Sequence, residues 1–227
     1  VEKTNQIDNN PATTELTPEA TPEEGGWTML HGIRTVRGGE GNHTWGIVDW
    51  NHPFTAEEES RFSCDMTTFQ SASSVRETQM CVHSFQDSVS DEIRHNKHWY
   101  DCDVLPSLWN EVGYIGSGEE SSYYVDIGSN IGSCGVIEML LATDAKIIAF
   151  EPHPMNLFNL KKTIASMGKS FQDRVVLFPV GLGSMQSTST IFSATGNMGN
   201  SGTLICYVCK LRRLFVVCKN HTGSLLL

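Results

Sequence analysis

Two carboxylates, Asp126 and Glu151, stand about 25 residues apart with a glycine-rich turn between them, close to the separation of a cofactor-binding βαβ unit. Asp126 closes the apolar run Tyr123-Tyr124-Val125, and Glu151 closes a second run, Ile147-Ile148-Ala149-Phe150. Gly128, Gly132 and Gly135 break the chain after the first run. A helix-period segment follows, whose apolar residues Val136, Ile137, Met139, Leu140 and Leu141 suit packing on a sheet. An acid at the tip of a parallel strand can accept hydrogen bonds from both hydroxyls of a ribose. A glycine turn lets backbone approach a ligand closely. Each feature alone has a plainer use: glycine turns join strands to helices in proteins without cofactors, and strand-tip acids cap helices. Together in one strand–turn–helix–strand unit they point to a nucleoside-containing cofactor.

The loop does not suit a dinucleotide. Pyrophosphate recognition uses G-x-G-x-x-G, and no G-x-G occurs among these glycines. The spacing G-x-x-x-G-x-G fails as well, because Ser133 and Cys134 both precede Gly135, and no Y-x-x-x-K pair is present. The motif D-x-G-S-N-x-G over Asp126–Gly132 instead resembles the first motif of Rossmann-like S-adenosylmethionine-dependent methyltransferases. Asn130 within the loop and F-E-P-x-P over Phe150–Pro154 are similar to the FkbM family of these enzymes. So are Asn156, Leu160, the run Val175-Val176-Leu177-Phe178, Pro179-Val180-Gly181 and Gly199-Asn200-Ser201-Gly202. The family commonly has Ala where this chain has Ser129.

The resemblance covers residues 75–203 and implies an α/β fold with a Rossmann-like methyltransferase sheet. It implies S-adenosyl-L-methionine as cofactor, with Gly128, Ser129, Asn130 and Gly132 against its methionine end. Asp126 would order the ammonium group, Glu151 would hold the ribose, and Pro152 would complete the acidic motif. The reaction implied is O-methyl transfer to a hydroxyl of a small molecule or carbohydrate. No catalytic base is assigned. His153, beside the ribose acid, reads as a cofactor-lining or surface residue. The sheet is expected to be incomplete: only about three parallel strands are legible, and the acidic late-strand motifs of the family are missing after Gly202. A chain ended by truncation or intron read-through, keeping the fold's front half as an inactive fragment or binding module, is the competing expectation. Such a half-sheet leaves a bare central edge, which is a liability for folding.

Composition narrows the partners. A net charge of −10 with no basic stripe argues against nucleic acid. No apolar run is long enough to span a membrane. The first residue is Val rather than Met, which is compatible with an upstream signal or anchor. Seven cysteines include Cys64, Cys81 and Cys102, of which two could pair and leave one free, with no connectivity following from spacing. Cys134, in the first turn after the glycine loop, reads as a small buried residue. Asn42-His43-Thr44 is a glycosylation sequon that matters only in a secretory compartment. The reading leaves a Golgi or other secretory lumen and the cytoplasm both open.

Four segments are expected. Residues 1–26 read as a disordered acidic, Pro-rich tail with almost no apolar side chains. Residues 27–112 form an N-terminal helical extension, whose Trp27, Trp45 and Trp50 fit no element. Within it Thr55 is a helix N-cap followed by acids. Residues 88–109 offer a cap at Ser88–Ile93 and an apolar face from Trp99, Val104, Leu105, Leu108 and Trp109. The histidines His83, His95 and His98 read as surface residues. Residues 113–203 are the partial methyltransferase domain, with a hairpin expected around Thr188 to Phe192. Residues 204–227 are an atypical C-terminal segment, in which the runs Leu204–Val208 and Leu214–Val217 would fill in beside the sheet. Its C-x2-C-x8-C-x2-H spacing over Cys206, Cys209, Cys218 and His221 matches no reliable zinc motif, so no metal is expected.

Overall fold

The computed structural model describes residues 32–38, 43–100, 102–113, 123–182, 191–194, 196–203 and 216–218. Strands β1 (Ile33–Gly38) and β2 (His43–Val48) form an antiparallel hairpin, and helix α1 (Ala56–Arg61) follows. A second hairpin, β3 (Cys64–Gln70) with β4 (Glu77–His83), leads to α2 (Ser88–Asn96) and α3 (Val104–Gly113). Next come β5 (Tyr123–Ile127), a π-helical stretch Ser133–Glu138 that runs into α4 (Met139–Ala142), and β6 (Lys146–Phe150). Helices α5 (Pro154–Met167) and α6 (Lys169–Gln172) then lead to β7 (Val175–Phe178). The hairpin of β8 (Ile191–Ala194) and β9 (Asn197–Thr203) and the short β10 (Val216–Cys218) complete the order. The tail at 1–26, Trp27 and the sequon's Asn42 lie outside the described residues.

The architecture is mixed α/β, with small sheets and three parallel strands at the centre. The main sheet has the order β10-β5-β6-β7, with β5, β6 and β7 parallel. One face of these strands is buried at Tyr124, Ile147, Ala149, Val175 and Leu177; the other is covered at Val125 and Phe150 and left exposed at Tyr123 and Val176. In register, Asp126 faces Ala149 and Ile127 faces Phe150, so Glu151 emerges one step past the end of β6 at the level of Gly128. The edge of β5 carries β10, paired antiparallel at Val216–Val125, so the run expected at Leu214–Val217 does fill in beside the sheet at Val216 and Val217. The pairing strand is therefore Val216–Cys218; residues 204–215, including the run Leu204–Val208, lie outside the described residues.

One hydrophobic core joins the region before residue 113 to the sheet. Phe69, Met80 and Val82 of the second hairpin, Val89 and Ile93 of α2, and Leu105 and Trp109 of α3 belong to it. So do Tyr124, Ile147 and Leu177 of the sheet and Phe158, Leu160 and Ile164 of α5. Full burial of each large side chain contributes about 1.5–3 kcal/mol, so hairpin and helices are bound to the sheet by many such terms. Two of the three tryptophans that matched no element, Trp45 and Trp50, flank β7. Trp45 packs edge-on against Phe178, and Trp50 Nε1 donates to the Val175 carbonyl at 3.1 Å. Thr55 caps α1 as expected, its Oγ1 accepting from the Glu58 N–H while the Glu58 carboxylate accepts from the Thr55 N–H.

Residues 88–109 form two helices rather than one face. Asp87 caps α2, Lys97 ends it in the left-handed region at φ 64°, and Val104, Leu105, Leu108 and Trp109 belong to α3. The hairpin expected around 188–192 spans 191–203 instead.

The cysteines correct two expectations. Cys64 pairs with Cys81 across the second hairpin, and Cys102 pairs with Cys134, so none of these four is a free thiol. The second bridge ties the segment before α3 to the helix that follows the glycine loop. It closes a separation of 32 residues, which corresponds to about 3.5 kcal/mol of unfolded-state entropy. Cys102→Ala/Cys134→Ala should lower the urea-derived stability by about that amount. An unchanged midpoint would mean that the bridge does not form in solution. Among the described residues no helix is long and apolar enough to cross a membrane.

Candidate functional site

At the C-terminal end of β5 the chain turns sharply and returns to β6. The N–H groups of Gly128 and Ser129 both donate to the Phe150 carbonyl, at 2.9 and 3.0 Å, which fastens the loop to the neighbouring strand. The turn uses positive φ at Gly128 (78°), Asn130 (53°) and Gly132 (87°). Glycine reaches this region without a Cβ clash, and Asn tolerates it better than most residues. The Gly132 carbonyl then accepts from Val136 and Ile137 at 3.0 and 2.8 Å, and the bond from Ile137 opens the first turn into a π-helix.

The three glycines differ in what surrounds them. Among the described residues nothing lies within 4 Å of where a Cβ on Gly128 would stand. A Cβ on Gly132 would strike Leu160 Cδ1, and one on Gly135 would overlap the Asp126 carboxylate. Gly132 and Gly135 are therefore needed for packing, whereas Gly128 keeps an open face. Asp126 itself is buried, its carboxylate laid against the Gly135 backbone.

Glu151 is the centre of the constellation. Its Oε2 accepts from the Asn130 N–H at 2.6 Å, and its Oε1 accepts from the His153 N–H at 2.8 Å and from Asn156 Nδ2 at 3.5 Å. The side chain is only 4% exposed. Burial pushes its pKa up to about 7; the donors from His153, Asn130 and Asn156 pull the other way, and the Asp126 charge adds to the rise. The loop and the strand-tip acid are thus one hydrogen-bonded unit. Pro152 is half-buried at the foot of α5, with the Gly181 backbone packed beside it.

His153 and residues of the β8–β9 hairpin complete the wall. His153 is buried rather than on the surface, and Nε2 lies 2.8 Å from Ser193 Oγ on β8. Burial lowers its pKa to about 4, so the ring is neutral near pH 7. The β8–β9 hairpin is latched at α2: Met198 N donates to Asp87 Oδ1 at 2.8 Å, and Ser88 N and Oγ reach the Gly196 carbonyl at 3.1 and 3.0 Å. Gly199 of that hairpin sits on Asn130, where an added Cβ would come within 2.6 Å of Nδ2.

His83 also departs from expectation. It is buried, with Nε2 2.9 Å from Asn156 Oδ1 and Nδ1 3.2 Å from Asn159 Nδ2. His95 and His98 are exposed as expected. A polar pair three apart in the apolar first half of α5, Asn156 and Asn159, was the available sign that the helix carries buried partners. Another buried carboxylate had no legible sign: Glu138 accepts from Ser71 Oγ, Ala72 N and Ser73 N at 2.9, 3.0 and 3.0 Å.

The donor and acceptor inventory defines what could bind. Among the described residues Asn130 Oδ1 is buried with no hydrogen-bond partner, and an orphaned buried acceptor of this kind is uncommon. Glu151 Oε2 receives one donor and retains a lone pair. Asn130 belongs to the loop whose Gly128 face is open, and Glu151 is hydrogen-bonded to that loop from the tip of β6. The set fits a ligand that brings donors, such as hydroxyl or ammonium groups, close to backbone. Among the described residues no three His, Cys, Asp or Glu side chains are grouped to hold a metal ion. Cys206, Cys209 and His221 lie outside the described residues. Compared with family models, curated proteins and solved structures, the chain has no match.

Proposed function

We propose that this chain carries the cofactor half of a Rossmann-like, S-adenosyl-L-methionine-dependent methyltransferase of the FkbM type, acting on a hydroxyl of a small molecule or carbohydrate. The observation that carries the reading is the union of Glu151 with the Gly128–Asn130 turn at the C-terminal ends of two adjacent parallel strands. Ligands of open α/β sheets bind at that end. Glu151 would hold the ribose hydroxyls. Gly128 and Ser129 would lie against the methionine end, and Asn130 Oδ1 together with Asp126 would face its ammonium group. Gly132 shapes the turn, and Pro152 directs the chain from the acid into α5. The cofactor supplies an electrophilic sulfonium methyl. The chain's own part is to fix the donor in one orientation and shield it from water.

A second reading has its own observation. Both Glu151 oxygens already accept hydrogen bonds from the protein, as a purely structural carboxylate would. On that reading the unit is a fold fragment or binding module without turnover. Thermal melting with S-adenosylhomocysteine separates the two. Ligand at 100 times Kd should stabilise by about 2.7 kcal/mol, which is a rise of roughly 5–10 °C for a chain of this size. NADH at the same concentration should leave the melt unmoved. No shift with S-adenosylhomocysteine would leave the fragment reading.

A further inference from the structure

We infer that His83 is a positioning residue for the ribose carboxylate, acting through Asn156 to set the orientation of Glu151; this rests on reading the site as an adenosyl cradle. The ring is contacted by two side-chain amides of α5. Asn159 presents Nδ2 to Nδ1 at 3.2 Å, and an amide nitrogen can only donate, so Nδ1 accepts. Asn156 presents Oδ1 to Nε2 at 2.9 Å, and an amide oxygen can only accept, so Nε2 carries the proton. One neutral tautomer satisfies both contacts. With its oxygen committed to the ring, Asn156 must turn Nδ2 the other way, where it meets Glu151 Oε1 at 3.5 Å. Without a donor at position 83 the amide could reverse and present its oxygen to the carboxylate, which would push Glu151 off its two backbone donors.

The histidine is well held for this task. Its N–H donates to Ser90 Oγ at 3.1 Å, its ring stacks on Phe85 with centroids 4.9 Å apart, and its carbonyl accepts from the Arg94 guanidinium. It reaches the site from β4, a strand outside the strand–turn–helix–strand unit that carries the motif. The plainer account is a polar cluster that merely satisfies itself in the core. The two accounts differ in which ligand atoms feel the loss.

The experiment compares S-adenosylhomocysteine with its 2′-deoxy analogue, titrated calorimetrically into wild type, His83→Leu, His83→Gln and Asn156→Ala. Wild type should prefer the ribose ligand by about tenfold to a hundredfold, the range of a hydrogen bond to a charged group. His83→Leu and Asn156→Ala should weaken the ribose ligand about tenfold and the deoxy ligand little, so the preference collapses. His83→Gln should restore it, because a Gln amide offers one acceptor to Asn159 and one donor to Asn156. If both ligands weaken equally, or neither does, the positioning role is overturned while the cradle stands. If wild type binds neither ligand, or binds both alike, the cradle reading fails and the role of His83 falls with it. Should His83→Leu not fold by circular dichroism, Asn156→Ala and His83→Gln decide the matter between them.

Discussion

Gly135→Ala is expected to lose at least about 4 kcal/mol, most of the stability of an ordinary domain, although the substitution adds one methyl group far from any loop tip. The new Cβ would overlap the Asp126 carboxylate. That carboxylate is buried and pinned between β5 and the π-helical turn, so it cannot step aside without opening the turn. Gly128→Ala is the matched control. Its φ of 78° makes a side chain strained by about 1–2 kcal/mol, yet among the described residues nothing lies within 4 Å to clash with it. The expected pattern is a crossed one. Gly135→Ala shifts the urea midpoint strongly, whereas Gly128→Ala shifts it slightly but abolishes the melting rise with S-adenosylhomocysteine. A Gly135→Ala protein with a wild-type midpoint would contradict the packing of Asp126 described above.

Local pattern explains what could be read beforehand. Strands β5, β6 and β7 were visible because each is a short apolar run that ends in a turn or an acid, although Tyr123 and Val176 on one face stay exposed. The cap of α1 was visible because Thr55 and Glu58 satisfy each other within a single turn. The glycine turn was visible as a motif, but not the division of labour within it. Only the neighbours Leu160 and Asp126, brought in from elsewhere, make Gly132 and Gly135 packing residues and leave Gly128 open.

What could not be read depends on distant segments. Lys161 illustrates the reason: nothing local marks it as interior, yet it is 2% exposed, with Nζ 4.5 Å from the centre of the Phe54 ring. The cover comes from the loop before α1, over a hundred residues earlier in the chain. Cysteine pairing has the same character, since spacing alone could not match Cys102 to Cys134. His83 looked like a surface residue because its partners, Asn156 and Asn159, lie on a helix far along the chain. The edge of β5 was read as lacking the late-strand motifs, with the apolar run Leu214–Val217 as filler; which strand it joins and in which direction were not legible. The ladder needs only backbone groups, and Val216–Cys218 supplies them antiparallel without any such motif.

Glu151 carries the remaining large prediction, because it combines stability, pH and ligand affinity in one group. Its folded pKa, about 7 against the ordinary 4.5, is raised by burial. Stability from this group is therefore fully present below pH 4.5 and is lost as pH rises through 7, a change of about 3 kcal/mol at 1.4 kcal/mol per unit. His153 works in the opposite sense: its pKa is depressed from 6.5 to about 4, so its contribution is present above 6.5 and lost as pH falls through 4. Wild type should be nearly flat between 4.5 and 6.5, where the two trends oppose each other. Glu151→Gln should instead gain stability with pH across that window, which urea melts at pH 4.5, 5.5 and 6.5 would measure. In the ligand experiment, the ionised carboxylate is the better acceptor for two hydroxyls. S-adenosylhomocysteine should then release part of a proton near pH 7, seen as a calorimetric enthalpy that varies with the ionisation enthalpy of the buffer. Glu151→Ala should bind about a hundredfold more weakly, the value of roughly two hydrogen bonds to a charged acceptor, and should release no proton. It also strands the N–H groups of Asn130 and His153, so ligand affinity must be read at a temperature where the variant is folded. Equal affinity in wild type and Glu151→Ala, with no buffer dependence in either, would reduce Glu151 to a structural clasp between the loop and α5.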